Sequence, residues 1–222
     1  MSRLRFHLRV TSGGLFWGAW CGIAAMIIVI LSLRQYLEQS PEWPLLLRIA
    51  SAALPVYTIL VFVNVISEEI EQRLFVYLYT LPTSVQRLLL ERSLLAIAGM
   101  LLAWLALMGS VSIAQGGLPF KDLLAASALV LPGNLLIGLA ALLATLMSRS
   151  IVGGLLLAFL YYLVELTSPN WPGPIFLIWR GLPVDIAEVW LYSLSVSVAA
   201  FVMFALLLFA SVYAKSWIVR SK

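Results

Sequence analysis

The chain is written in long apolar runs separated by short polar breaks. Six runs stand out: Leu15–Leu33, Leu45–Ile66, Leu88–Gln115, Leu123–Met147, Ile151–Leu166 and Ile186–Ala214. They are continuously apolar and do not alternate over ten residues, which predicts helices and argues against barrel strands. A hydrocarbon layer about 30 Å thick is crossed by about 20 residues of helix, so the runs are of spanning length. The fifth is short and has to borrow Ser150 or Thr167, or meet a locally thin bilayer. The expectation is an all-α membrane protein with six transmembrane helices.

Composition strengthens that reading. Of 222 residues, 63% are apolar, and the mean hydropathy is +1.03, values outside the range of water-soluble domains. No long linker, charge block or low-complexity tract divides the chain, so residues 1–222 read as one transmembrane domain. A basic start followed by an apolar run raises the question of a signal peptide, but no small-residue cleavage site closes Cys21–Leu31, so the first span is expected to stay. Cys21 is the single cysteine and precludes an intrachain disulfide.

Charge then sets orientation. With the N-terminus inside, the inner segments hold Arg3, Arg5, Arg9, Arg73, Arg87, Arg92, Arg149, Lys215, Arg220 and Lys222; the outer ones hold Arg34, Arg48, Lys121 and Arg180. This positive-inside bias places both termini in the cytoplasm. The pI of 9.4 is therefore a topological signal, and no nucleic-acid partner is expected.

Catalytic chemistry finds little to work with. Glu68-Glu69-Ile70-Glu71-Gln72-Arg73 spells E-E-x-x-x-R, which looks like the first motif of intramembrane CAAX-type proteases. Their site also needs downstream histidines, and the single histidine here is His7, at the wrong end to help hold a metal or an activated water. Serine-protease, nucleotide-binding and haem motifs are missing too. No catalytic, cofactor-binding or metal-binding residue is expected, and the chain does not read as an enzyme.

The most informative break is the loop from Ser67 to about Leu88. An acidic cluster (Glu68, Glu69, Glu71) leads through Arg73 into the apolar-aromatic stretch Leu74-Phe75-Val76-Tyr77-Leu78-Tyr79, which Pro82 stops. Thr83-Ser84-Val85-Gln86 reads as a capping box with Thr83 as N-cap. Arg87 and Glu91 follow at i,i+4, positioned to pair on one face of the next helix. The pattern is helix, sharp break, helix at the inner membrane face; a solvated hairpin with interfacial aromatics is the plainer reading of the same residues.

The run Glu69-x-x-x-Arg73-Leu74…Leu81-Pro82-Thr83-Ser84…Arg87-Leu88-Leu89-Leu90-x-Arg92 resembles the loop after the second span of type-2 ABC transporter permeases. In that family an acidic residue, a short coupling helix, a Pro-Ser/Thr break and a basic residue lead into the third helix. The chain departs from the family in carrying Gln72-Arg73-Leu74 where a glycine is common. The resemblance implies the membrane subunit of an ATP-driven exporter working by alternating access, in a bacterial cytoplasmic membrane. ATP would be hydrolysed by a separate ABC ATPase subunit, and a second permease copy would complete the pathway. It further implies ATPase-coupling roles for Glu68, Glu69, Arg73, Leu74, Phe75, Pro82, Thr83 and Arg87, and for Arg149 in the tight Ser148-Arg149-Ser150 turn. The competing reading is a polytopic protein with no transport role, such as a bacteriocin-immunity or assembly factor.

Other features fit either reading. Gly14, Gly18 and Gly22 stand at i, i+4, i+8, a small-residue stripe that lets another helix approach, within the chain or from a second copy. Met1–Ser12, with Leu4/Leu8 and Arg5/Arg9, reads as an interfacial helix or a basic leader. Thr167 to Val184, rich in Pro and Trp, reads as a re-entrant or interfacial outer segment before the last span. Polar residues within the spans are Asn64, Gln115, Asn134 and Glu165. Asn134, directly after Pro132-Gly133, is expected to satisfy carbonyls near a proline kink. The scarcity of intramembrane charge points to an apolar or amphipathic substrate.

Overall fold

The computed structural model describes residues 13–36, 43–67, 70, 85–117, 119–167 and 186–220. Among these, regular structure is helical: α1 (Gly14–Tyr36), α2 (Trp43–Asn64), α3 (Val85–Gln115), α4 (Phe120–Ser148), α5 (Ile151–Thr167) and α6 (Ile186–Arg220). Each apolar run has become one helix. Five of the six are long and apolar enough to cross a membrane. The fifth, α5, has 17 residues, or roughly 25 Å at the α-helical rise, short of a full crossing as its run foretold. The chain is a helical, multi-pass membrane protein.

Helices α2 and α4 form the centre. The first packs against α1, α3, α4 and α5; the second packs against α2, α3, α5 and α6. Their contact needs a missing side chain. A Cβ at Gly138 of α4 would stand 2.7 Å from both Phe62 Cδ2 and Thr58 Cγ2 of α2, far inside van der Waals contact, so only glycine lets these helices approach. Gly154 plays the same part between α5 and α4, where an added Cβ would overlap Thr145 Oγ1.

Several polar groups inside the bundle bond within their own helix or to a neighbouring one, as a medium without water favours. The Thr58 hydroxyl donates to Leu54 O (2.9 Å) and that of Thr145 to Ala141 O (2.7 Å), each one turn back. Trp104 Nε1–H reaches from α3 to Ser127 Oγ on α4 at 2.8 Å, and Tyr162 Oη–H reaches from α5 to Ala52 O on α2 at 3.1 Å. Asn134, fully buried two residues after Pro132, donates its amide to Val130 O at 2.8 Å, one turn back in its own helix and not to Ala128 O, the carbonyl that the proline leaves without its N–H. Large apolar side chains on the other faces of α1, α5 and α6 stay exposed, among them Trp17, Leu157 and Phe201; these are the faces a bilayer solvates.

Candidate functional site: the clamped mouth of the 68–84 segment

Three helices meet where α2 stops. After Asn64 the backbone tightens, with Val65 N–H bonding to Phe62 O, and one further turn follows, with Ile70 N–H bonding to Ile66 O (both 3.2 Å). Asn64 and Ser67 suit this position because their short polar side chains compete for the freed backbone groups of a helix end. The Ser67 hydroxyl lies within hydrogen-bond reach of Asn64 O (3.1 Å) and Asn64 Oδ1 (3.0 Å). Both residues are buried. Immediately before α1, Gly13 comes so close that a Cβ there would lie 3.0 Å from Asn64 Oδ1.

Helix α3 contributes a charge. Arg92, about two turns into α3, is 2% exposed, and its Nη1–H donates to Val65 O at 2.8 Å. The end of an α-helix carries unsatisfied carbonyls and the negative pole of the helix dipole, so a guanidinium is the complementary group. Arg87, five residues earlier, behaves oppositely. It lies on the exposed face and pairs with Glu91 at 2.9 Å, as the i,i+4 spacing foretold. Such a solvated pair contributes at most a few tenths of a kcal/mol.

The same end of the bundle carries the α4–α5 turn, because α4 runs antiparallel to α3 across the short 116–119 connection. Arg149 closes α4 in the left-handed region, φ 52° and ψ 32°. It is the one non-glycine residue with positive φ among those described. Ser150 caps α5, its Oγ accepting from Gly153 N–H at 3.3 Å, and Ser148 Oγ–H donates to Ser150 O at 3.1 Å. The Arg149 side chain is left exposed at the tip.

Of the residues singled out for coupling, Arg87 and Arg149 are thus brought to one end of the bundle. Glu68, Glu69, Arg73, Leu74, Phe75, Pro82 and Thr83 lie outside the described residues, as do Met1–Ser12 and the segment 168–185. The glycine stripe comes out differently from its intramolecular reading. No atom of another helix stands within 4 Å of a Cβ placed at Gly14, Gly18 or Gly22. Gly18 and Gly22 instead line an open groove of about 410 Å³ with Ala52 and Val56 of α2 and Tyr162 of α5. The glycines that do admit a helix are Gly138 and Gly154, which belong to no periodic stripe. Arg92 was legible as the basic residue ending the loop motif, but its burial and its carbonyl partner were not.

Comparison with known protein families, curated proteins and solved structures finds no match. Among the described residues no group of His, Cys, Asp or Glu could hold a metal ion.

Proposed function

We propose that the chain is the membrane-spanning permease subunit of an ATP-driven exporter of the type-2 ABC kind. It would move an apolar or amphipathic substrate by alternating access, with both termini in the cytoplasm. The observation that carries this reading is the buried Arg92–Val65 contact that ties the end of α2, the helix at the centre, to the start of α3. Residues 68–84, whose sequence resembles a coupling loop, join these two helices in the chain. A segment mounted on the core in this way can turn a push from outside the membrane into helix movement. Arg149, fixed on a rigid turn at the same end, offers a second cationic contact to the partner.

The partners proposed are a separate ABC ATPase and a second permease copy, with the exposed Gly14–Gly18–Gly22 face of α1 available to the latter. The test is co-expression with the ATPase encoded beside this chain, followed by purification in detergent. A complex that forms with the wild type and is lost on Arg73→Glu or Arg87→Glu, with membrane insertion intact, is the expected result. A chain that purifies alone would favour the non-transport reading.

A further inference from the structure

We infer that Arg92 is a positioning residue: it clamps the end of α2 to the first turns of α3, so that the two helix ends move as one body. The function of the clamp rests on the transporter reading above; its existence does not. A topological signal needs only an arginine on the inner side, and exposed Arg87 already supplies one. Topology therefore leaves the burial of Arg92 unexplained. A guanidinium keeps its charge under all ordinary conditions, and burying it is costly unless acceptors surround it. The structure places this charge against Val65 O, the first carbonyl beyond α2, at 2.8 Å.

The position matters mechanically. Val65 lies between Asn64, which is packed against Gly13 just before α1, and Ser67, which lies in the turn after α2. Arg92 lies seven residues into α3, about two turns from where the segment returns. A displacement of the start of α3 reaches the end of α2 through this contact, and α2 is the helix that touches α1, α3, α4 and α5. A lever attached here moves the centre of the bundle and not its rim.

The test uses the full chain carrying Cys21→Ser, reconstituted in lipid nanodiscs, with spin labels placed in pairs. Labels at Ile70→Cys and Gln86→Cys read the two helix ends. Labels at Met147→Cys and Val152→Cys read the α4–α5 turn, which its own hydrogen bonds close. Arg92→Gln should broaden the distance distribution of the first pair and leave the second unchanged. Arg92→Lys, which keeps the charge and a donor, should restore a narrow first distribution. A first pair as narrow in Arg92→Gln as in the wild type overturns the clamp. So does equal broadening of both pairs, the signature of general loosening.

Transmission is then read in the complex with the ATPase, using labels at Leu45→Cys and Leu191→Cys at the far end. Trapping with ATP and vanadate should shift this distance in the wild type, and the shift should be lost in Arg92→Gln with the ATPase still bound. A wild-type shift in that variant overturns the transmission role. Failure of the wild-type chain to bind the ATPase overturns the transporter reading and the transmission role with it, while the first two pairs, measured on the chain alone, still decide the clamp.

Discussion

Helices α1 and α2 are nearly the same length, 23 and 22 residues, and α1 is slightly the more apolar. Yet 72% of the apolar stretch of α2 is buried inside the bundle, against 17% for α1. Apolarity decides whether a segment leaves water. It does not decide whether its neighbours are side chains or lipid tails, because both are equally apolar. What separates the two helices is shape and local bonding. The buried stretch of α2 carries Ser51, Ala53 and Thr58, small groups whose hydroxyls bond one turn back to Arg48 O and Leu54 O. Helix α1 meets α2 through Trp20, which stands edge-on to both Phe16 and Tyr57, while Trp17 and its glycines stay exposed.

The sharpest way to break this comparison is a matched pair of truncations. Phe62 on α2 is fully buried, whereas Ile28 on α1 is 64% exposed. Phe62→Ala should cost about 3–5 kcal/mol of unfolding free energy, the range for emptying a packed aromatic site. Ile28→Ala should change it by less than about 0.5 kcal/mol. Equal losses, measured by reversible unfolding in bicelles, would mean that α1 is packed as tightly as α2.

A second pair concerns the glycines. Gly138→Ala pushes a methyl group onto Phe62 and Thr58 and should cost about 1–3 kcal/mol. Gly18→Leu faces the open groove, so the fold of the single chain should tolerate it. If α1 meets a second copy, that variant should weaken self-association in detergent while leaving thermal stability unchanged. Unaltered association would show that the stripe has no partner there.

These glycines also show how far the sequence could be read. The runs gave helix boundaries within about three residues, except that α6 continues past Ala214 to Arg220, because membrane thickness and backbone hydrogen bonding leave a spanning segment little freedom. The i,i+4 pair Arg87–Glu91 and a local bond for Asn134, though not the carbonyl that accepts it, were legible for the same reason: both lie within one helix. Contacts between helices were not. Gly14, Gly18 and Gly22 form a pattern that the eye finds, but a pattern states what a face permits and not what occupies it. Gly138 and Gly154 are each defined by a residue on another helix, Thr58 far away in the sequence or Thr145 across the α4–α5 turn, that no helical spacing announces. Arg92 escaped for a related reason: a basic residue at an inner helix end satisfies topology whether it is exposed or buried.

A smaller effect tests the rigid turn beside the centre. Arg149 adopts a left-handed conformation that costs a non-glycine residue about 1–2 kcal/mol, and glycine is the usual occupant after a helix end. Arg149→Gly should therefore raise stability by roughly 1 kcal/mol. On the transporter reading the same change should also weaken ATPase association. A variant that gains stability and binds the ATPase unchanged would remove Arg149 from the proposed contact.

The smallest change asks which physical regime holds the interior together. Ser127 Oγ accepts from Trp104 Nε1–H at 2.8 Å while donating to Leu123 O at 2.7 Å. Ser127→Ala leaves the indole N–H of Trp104, itself only 1% exposed, without this acceptor. In a water-soluble core, orphaning a buried donor costs about 1–3 kcal/mol. In a membrane interior the average loss for an interhelical hydrogen bond is only about 0.6 kcal/mol, because the separated helices in lipid also find partners. A loss near the lower figure would mean that packing at sites such as Gly138–Thr58, more than polar contact, sets α2 and α4 apart from α1. A loss near 3 kcal/mol would reverse that ranking and make the buried hydrogen bonds the main distinction between the centre of this bundle and its rim.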